Sequence, residues 1–533
     1  MSSRRAMLAK LRENQHYDLV VIGGGITGVG VAYEAAARGA RVAVLEQGDF
    51  ASGTSSRSTK LIHGGIRYLK HFDFRLVREG VQERQHLIAA APYLVHPTQF
   101  VYPVHQGDPD PFWALRIGLL LYDWFAGRSN LLRHRVFPGR TILQEEPQLR
   151  AEGLTGGALY ADCLTDDARL TVEVAKAAAR KGAVLVNYLP VQRFLYDQSG
   201  RVTGVEAVDR LGGGEPLAVY GRAVLNATGP WADIIRRLDD PAAPPTLRTT
   251  KGVHITVPHA RLPLRRPVVM HAADGRLMFA VPRGGFTYLG TTDTDYTGDP
   301  AAVAVDLADV TYILSATNRT FPAAQLTQAD VVSAWAGLRS LAAAGDGLKP
   351  SQVSRDYRLH VSRSGLVSVA GGKLTAFQAM ARSILQRLIP GLVTSELRLD
   401  LPGVDRPSTA AEFEPLVREA GLPAGAAAEL WFRHGSQVPA VLARLAPAGS
   451  LEPRARMLAA EAAHAVEDEF AVTLTDALHR RTAQLLFSPD NGLGAAEAAA
   501  EAMGARLGWS EEERAAQVQA YRDEVAAMMS WRI

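Results

Sequence analysis

The chain has 533 residues, too many for one hydrophobic core, so two or three domains are expected. Its composition, 47% hydrophobic and 21% charged, is that of a soluble globular protein, and a net charge of +3 is too small to indicate nucleic acid binding. Cys163 is the only cysteine, which excludes an internal disulfide and fits a reducing cytoplasm.

No targeting or membrane-spanning segment is expected. Residues 1–15 are basic but contain no apolar core of the kind found in signal peptides. The most apolar window, residues 112–125, is interrupted by Arg116 and Asp123. It is predicted as a core helix or, with the basic residues that follow it, as a helix that lies on a membrane surface or faces a quinone.

The first element that carries chemistry is an apolar strand, residues 18–22, that runs into a glycine cluster and a helix. Gly23 allows a tight turn, Gly25 allows the backbone to approach a pyrophosphate, and Gly28 allows the helix to pack closely on the strand. The next strand ends in Glu46, at about the spacing expected for a carboxylate that binds an adenosine ribose. The stretch predicts a dinucleotide-binding βαβ unit.

Two polar stretches follow this unit. Residues 50–60 are rich in Ser and Thr and suit a loop that contacts a phosphate or ribityl chain. Residues 61–69 place paired glycines between polar side chains, which is typical of a ligand-facing turn. An amphipathic helix over about 74–91 is predicted next, and Pro92 ends it.

The rest of the chain divides into a mixed α/β region and a helical region. A hairpin (201–208 with 217–220) and a returning strand (223–229) are predicted, and residues 252–290 read as a strand-rich wall of a substrate pocket. Beyond residue 403 the spacing predicts helices, including one over 426–434 and a single helix over 473–486. Asp166 and Asp167 are predicted to cap a helix rather than to bind a metal, and no metal site is predicted.

These stretches and several downstream motifs together resemble one family. The motifs lie at residues 21–28, 52–56, 60–68, 165–169, 226–231, 251–254, 290–295, 337–339, 354–357 and 371–375. As a set they are similar to the FAD-dependent glycerol-3-phosphate dehydrogenases, the membrane-associated, quinone-reducing kind. The resemblance covers about residues 17–390 and continues, more weakly, through the helical region.

The resemblance implies an α/β fold with three parts. They are a Rossmann-type FAD-binding domain, an inserted mixed β-sheet substrate domain like that of D-amino-acid oxidase, and a C-terminal α-helical domain. The FAD-binding domain is assigned to 16–95, 155–230 and 345–390, the substrate domain to 96–154 and 231–344, and the helical domain to 400–533.

The resemblance also assigns the groups that handle the substrate. A phosphate dianion needs several cationic donors, and Arg339, Arg355 and Lys373 are the expected ones. Ser340 departs from the family pattern, which usually has proline there.

A proton must leave the substrate hydroxyl, and His63 and His254 are both candidates for the base, unranked by the sequence. Arg67 and Tyr68 resemble residues at the hydroxyl end of the substrate, where positive charge would steady a developing alkoxide.

The FAD contacts follow from the same motifs. A helix over 374–388, preceded by the turn 369–373, is expected to aim its free N–H groups at the flavin N1 and C2=O. Residues 376–378, Ala-Phe-Gln, depart from the usual Thr-Tyr-Arg. The expected cofactor-binding residues are Gly23, Gly25, Ile26, Thr27, Gly28, Glu46, Gln47, Thr54, Ser55, Ser56, Lys60, Leu61, His63, Gly64, Gly65, Ala227, Thr228, Gly229, Gly372, Lys373, Leu374 and Thr375.

The expected function is oxidation of sn-glycerol 3-phosphate to dihydroxyacetone phosphate, with the hydride going to flavin N5 and the electrons to a membrane quinone. The resemblance places such a protein in the cytoplasm, peripherally attached to the inner face of the membrane; the residues do not determine the oligomeric state, and a homodimer is compatible with them. One alternative is an oxidase that uses O₂, although no inserted segment typical of those enzymes is recognised. More distant alternatives are an amine or 2-hydroxy-acid oxidoreductase, for which three cations would be excessive, and a flavin-binding protein without turnover.

Overall fold

The computed structural model describes residues 3–64, 74–126, 132–343 and 357–532. The strands are β1 (His16–Ile22), β2 (Val42–Leu45), β3 (Leu61–Ile62), β4 (His96–His105), β5 (Arg135–Pro138), β6 (Leu154–Leu164), β7 (Val184–Val186), β8 (Val191–Tyr196), β9 (Val202–Val208), β10 (Pro216–Asn226), β11 (Leu247–Pro258), β12 (Val268–His271), β13 (Leu277–Arg283), β14 (Phe286–Gly290), β15 (Thr294–Asp295), β16 (Ser333–Ala342), β17 (Arg358–Val361) and β18 (Val367–Ala370).

The helices include the three whose bounds the sequence predicted most closely, α3, α4 and α11. In chain order they are α1 (Arg4–Glu13), α2 (Ile26–Ala36), α3 (Phe74–Ala90), α4 (Phe112–Ala126), α5 (Gly139–Glu145), α6 (Asp167–Arg180), α7 (Ala232–Asp239), α8 (Leu307–Thr320), α9 (Phe377–Leu388), α10 (Ala410–Glu419), α11 (Ala426–His434), α12 (Val438–Leu442), α13 (Pro453–Asp468), α14 (Gln484–Phe487), α15 (Ala496–Leu507) and α16 (Glu511–Met528).

The first sheet has the parallel centre of a Rossmann-type unit. Its strand order is β17-β18-β10-β1-β2-β7, and β1 pairs in parallel with both β2 and β10. β2 and residues 19–22 of β1 are apolar and buried, and α2, α6 and α9 pack with them in one core, as expected for strands covered on both faces. The predicted βαβ unit is confirmed.

β10 carries two pairings where the sequence predicted two separate strands. Residues 216–220 pair antiparallel with β9, while residues 220–226 pair in parallel with β1. The chain therefore makes the predicted hairpin and returns to the sheet without a break. A small-residue turn follows at Ala227 and Thr228.

Among the described residues, the second sheet has ten strands and packs against α8. Its strand order is β15-β11-β14-β13-β12-β4-β6-β3, with β16 on β11 and β5 on β6. β6 lies in the segment 155–230 that the sequence assigned to the FAD-binding domain, yet it pairs with β4 in this second sheet. The division between the sheets thus differs from the predicted boundary at residue 155, because strand pairing depends on partners distant in sequence.

The C-terminal part is helical, as expected, but one predicted helix is wrong. Over 473–486 the chain forms a π-helical turn at Asp476–Arg481, then Ala483 adopts a left-handed conformation (φ 56°) before α14. The hydroxyl of Thr482 bonds to the carbonyl of Ala477, which competes with regular helical bonding. α9 likewise begins at Phe377, three residues later than predicted.

Candidate functional site

A long cavity lies between the two sheets. One wall is formed by residues just beyond the C-terminal ends of β1, β2 and β10, where ligands bind in open α/β sheets. The other wall is formed by β11 and β16, and the turn at residues 371–376 closes it further. The cavity therefore combines the dinucleotide-binding edge of one sheet with the predicted substrate wall of the other.

The glycine turn after β1 is shaped for close backbone approach. Gly23 has φ 108°, and a Cβ there would lie 2.7 Å from the carbonyl oxygen of Ala227. A Cβ on Gly28 would lie 2.0 Å from the Gly23 carbonyl oxygen, so Gly28 serves helix packing and does not line the cavity. The N-terminus of α2, with Ile26 and Thr27, faces the cavity and suits an anionic group.

Glu46 lies at the end of β2, where a ribose-binding carboxylate was expected. Its two carboxylate oxygens accept hydrogen bonds from the backbone N–H groups of Gly24 (2.6 Å) and Gly48 (2.8 Å). Burial raises the pKa of this carboxyl group, and the two N–H donors oppose the shift. The bonds fix the carboxylate against the cavity wall.

The described cofactor-binding predictions line the cavity, with three exceptions. Gly28 packs as stated above, and Ser56 bonds to the Gly53 carbonyl. Lys60 is buried, with its ammonium 2.5 Å from Asp167 Oδ1 and 3.0 Å from the Ser56 carbonyl oxygen. Gly28 therefore shapes the turn between β1 and α2, whereas Ser56 and Lys60 shape the loop over 50–60. Gly65 lies outside the described residues.

The two candidate histidines have different surroundings. The ring of His254 stacks on Trp335 at 4.9 Å, and its Nε2 lies 3.0 Å from Thr59 Oγ1. Burial, assisted by Arg339 and Lys60, lowers the pKa of His254 well below its usual value, so the ring is neutral. His63 is only half-buried and lines the cavity on the turn that follows β3.

Two of the predicted phosphate-binding cations, Arg339 and Lys373, line the same cavity as His63. The Arg339 guanidinium donates to Asp293 Oδ1 and Thr291 Oγ1, each at 3.0 Å. Gly252 leaves room for it, because a Cβ there would lie 2.6 Å from Arg339 Nη2. The remaining predictions for substrate contacts, Arg67, Tyr68 and Arg355, lie outside the described residues.

The turn before α9 lies against the cavity with two glycines in unusual conformations. Gly371 and Gly372 have φ 90° and 125°, and residues 371–376 line the cavity. Phe377, which departs from the family pattern, packs under Gly30 of α2, where a Cβ would lie 2.7 Å from its ring. Ser340, the other departure, lines the cavity, and its hydroxyl has no hydrogen-bond partner in the described structure.

Sequence reasoning missed several cavity residues. The ring of Trp231 lies against Gly53 in the loop over 50–60, since a Cβ on Gly53 would lie 3.1 Å from it, and Trp231 lines the cavity. Its motif at 226–231 was recognised, but the tryptophan was not assigned. Arg57 and Glu79 also line the cavity. Arg57 lies in the predicted ligand-contacting loop over 50–60 but was not itself assigned, and no local pattern around Glu79 indicates a ligand.

One cluster within the described ranges has the composition of a metal site: His434, His464 and Glu469. Glu469 already pairs with Arg169 (2.7 Å) and with Lys176 (3.1 Å). Two cations on the one carboxylate oppose a further divalent charge. We assign the cluster to the ion pairs that join the helical domain to α6.

Asp166 and Asp167 also have protein partners. Asp166 caps α6 by accepting from the backbone N–H of Arg169 (3.1 Å), as predicted, and its other oxygen pairs with Arg283 (2.6 Å). Asp167 is instead the first residue of α6 and pairs with Lys60.

Comparison with known proteins gives matches over nearly the whole chain. A family model described as FAD dependent oxidoreductase matches residues 18–378, and one described as the C-terminal domain of alpha-glycerophosphate oxidase matches residues 393–514. An aerobic glycerol-3-phosphate dehydrogenase of Staphylococcus haemolyticus is 37% identical over 503 residues, covering 91% of this chain and 90% of that protein. A relative of the same name from Staphylococcus aureus (strain USA300) is 35% identical over 545 residues, covering 98% and 96%.

Solved structures agree with this relationship. The crystal structure of the glycerol-3-phosphate dehydrogenase from Bacillus halodurans complexed with FAD has a TM-score of 0.82 and 34% identity, covering 100% of this chain and 99% of that one. Glycine oxidase from Geobacillus kaustophilus, at 23% identity and a TM-score of 0.54 over 74% of this chain and 100% of its own, is similar in fold.

Proposed function

Because the chain belongs to the family of FAD-dependent aerobic glycerol-3-phosphate dehydrogenases, we propose that it oxidises sn-glycerol 3-phosphate to dihydroxyacetone phosphate and passes the electrons to a membrane quinone. One observation carries the proposal: a single cavity holds the dinucleotide-binding turns, two cations for a phosphate and a histidine able to take a proton.

The cavity fits FAD. The N-terminus of α2 and the turn at Gly23 would hold the pyrophosphate, Glu46 would accept hydrogen bonds from the adenosine ribose, and the turn at Gly372 would lie against the flavin ring. When bound, FAD accepts the hydride from the substrate carbon at N5.

We assign the contacts of the substrate to the following residues. Arg339 and Lys373 bind the phosphate, with Arg355 as an expected third cation. His63 takes the hydroxyl proton, since His254 is buried, stacked on Trp335 and a poor proton acceptor. Arg67 and Tyr68 are retained as expected contacts of the substrate oxygen.

α4 supports a place for the protein at the membrane. Within the described ranges, no helix has the length and hydrophobicity needed to cross a bilayer. α4 instead presents Trp113, Ile117, Leu120 and Trp124 to solvent, each 52% to 74% exposed and spaced to share one helix face. Such a face suits insertion into the headgroup region, where tryptophan is favoured. Peripheral attachment through α4 would bring the protein to a membrane quinone.

The reaction is tested by anaerobic bleaching of the flavin absorption of the purified protein. We expect sn-glycerol 3-phosphate to bleach it and glycerol and lactate to leave it unchanged. Re-oxidation by a soluble quinone should be much faster than by air. Fast recovery in air would replace the quinone with O₂ as acceptor, and no bleaching in protein that holds FAD would overturn the proposal.

Membrane attachment is tested by flotation with vesicles that contain anionic lipids. We expect the wild-type protein to float with the vesicles and the double variant Trp113→Ser/Trp124→Ser to remain in solution. The matched control is Val361→Ser/Leu416→Ser, which removes two exposed apolar side chains from other surfaces. Equal flotation of all three proteins would exclude α4 as the attachment surface.

A further inference from the structure

The turn that carries His63 is held by three buried side chains that do not line the cavity. They are Arg84 of α3, Tyr122 of α4 and Asp162 of β6, each no more than 4% exposed. No motif in the sequence marks them as a group, and the proposed reaction does not use them directly.

Strand pairing brings Asp162 to the turn. β3 pairs antiparallel with β6, Ile62 opposite Cys163, so the next residues, His63 and Asp162, follow at the end of the ladder. The backbone N–H of Gly64 donates to Asp162 Oδ1 at 3.0 Å. The Asp162 carboxylate thus accepts from the backbone N–H of the residue directly after His63, the proposed base.

The same carboxylate oxygen is fixed from two helices. Arg84 Nη1 donates to it at 2.7 Å, and the hydroxyl of Tyr122 donates at 2.7 Å. Arg84 also donates to the Tyr122 hydroxyl at 3.0 Å. Burial disfavours the Arg84 cation, but Tyr122 and Asp162 outweigh it and raise its pKa, so Arg84 remains charged and pairs with the carboxylate.

The turn is also confined sterically. A Cβ on Gly64 would lie 2.2 Å from the Tyr122 hydroxyl oxygen and 2.7 Å from Val81 Cγ2. A Cβ on Gly80 would lie 3.0 Å from the Gly64 carbonyl oxygen. The backbone at Gly64 is therefore packed between α3 and α4. Its hydrogen bond to Asp162 fixes its position between the two helices.

We propose that Asp162, fixed by Arg84 and Tyr122, is a positioning residue that holds the His63 turn so that the imidazole meets the substrate hydroxyl. This inference rests on the proposed function, because it assigns the proton transfer to His63. A group that served stability alone would change how much protein folds, whereas a positioning group changes the rate of each folded, FAD-loaded molecule.

The test is anaerobic stopped-flow bleaching by sn-glycerol 3-phosphate, normalised to bound FAD. We expect Asp162→Ala to slow bleaching about 100-fold, because displacement of a catalytic group by about 1 Å costs that much. Asp162→Asn keeps an oxygen that accepts from Gly64 and should recover part of the rate. The KM should change less than about threefold, because Arg339 and Lys373, which bind the phosphate, are untouched.

Tyr122→Phe is the gentler variant, since it removes one hydroxyl donor and keeps the Arg84–Asp162 pair. A slowing of about 3- to 10-fold is expected, in line with one lost hydrogen bond of about 1 kcal/mol. Glu461→Gln is the matched control: it changes an equally buried carboxylate, paired with Arg433, in the helical domain. Its normalised rate should equal that of the wild type.

Wild-type rates for both Tyr122→Phe and Asp162→Ala would overturn the positioning role while leaving the proposed function intact. If Asp162→Ala does not retain FAD, the normalised rate of Tyr122→Phe alone tests the positioning role. Failure of the substrate to bleach the wild-type protein would instead overturn the proposed function, and this inference with it.

Discussion

Arg339 illustrates how one residue is prepared for a ligand. Its guanidinium is bonded to Asp293 and Thr291 beside the cavity, and Gly252 leaves the space that it occupies. A planar cation held in this way can offer paired hydrogen bonds to a phosphate, whereas a lysine acts as a point charge.

Arg339→Lys is therefore expected to weaken substrate binding more than turnover. A lysine keeps the charge but cannot bond to Asp293 and to a phosphate with the same geometry. We expect the KM for sn-glycerol 3-phosphate to rise about 10- to 100-fold, as for loss of a charge-assisted bond, while kcat changes only a few fold. Steady-state kinetics with a quinone acceptor measure both constants. Arg193→Lys, in an exposed pair with Glu206, is the control, and equal KM values for the two variants would contradict the assignment.

At this scale the sequence predicts residues whose chemistry is local. Gly23 and Glu46 follow from a strand, a turn and a spacing, and both line the cavity. Lys60 could not be placed in the same way, because its partner Asp167 is 107 residues away. His63 and His254 could not be ranked, because burial and the stack on Trp335 arise only in the folded chain.

The element on which the cofactor site depends most is the turn between β1 and α2. Gly23→Ala adds a methyl group 2.7 Å from the Ala227 carbonyl oxygen at a backbone φ of 108°. β1 and β10 must then separate at the point where FAD would bind, so we expect loss of bound FAD. The flavin-to-protein absorbance ratio after gel filtration measures it.

Gly39→Ala is the matched control for this turn. Gly39 also has a positive φ, 85°, but an added Cβ would meet nothing within 4 Å. Its strain should cost about 1–2 kcal/mol of stability without loss of FAD. Retention of FAD by Gly23→Ala, or its equal loss from both variants, would show that the turn geometry is not what holds the cofactor.

Elements were predicted well where periodicity and breakers agree, as in α3 and α11. The predicted helix over 473–486 failed because side-chain bonds and the left-handed Ala483 divide it, and no residue there is a usual helix breaker. Residues 155–164 were assigned to the FAD-binding domain, whereas β6 lies in the second sheet. Its partner β4 is identified only by long-range pairing.

On the scale of the whole molecule, the helical domain is joined to the FAD-binding domain through Asp49. This buried carboxylate lies in the loop after Glu46. It accepts hydrogen bonds from the guanidinium groups of Arg480 (2.6 Å) and Arg481 (2.6 and 2.9 Å) in the π-helical turn. Asn187, beyond β7, donates to it as well (3.1 Å). The C-terminal domain therefore supports the loop that carries the expected ribose-binding residue.

This junction predicts how stability depends on acid. Burial raises the pKa of Asp49, but Arg481 and Arg480 outweigh it and hold the pKa at about 2. The folded carboxyl is thus more acidic than an unfolded one at about 3.9, so its stabilising contribution is present above pH 4 and is lost as the pH falls towards 2. A shift of this size corresponds to a contribution of about 2–3 kcal/mol to the free energy of unfolding.

Asp49→Asn removes this titration and leaves two buried arginines with a weaker partner. We expect its thermal unfolding midpoint to be lower than that of the wild type at pH 5, because breaking a buried pair costs about 3–5 kcal/mol. Between pH 5 and 3 the unfolding midpoint of the variant should fall less than that of the wild type, since the asparagine side chain binds no proton. Asp405→Asn, which alters an exposed pair with Arg180 between the same two parts of the chain, should keep the wild-type pH dependence. If the unfolding midpoints of all three proteins fall in parallel with pH, the acid-sensitive contact lies elsewhere in the molecule.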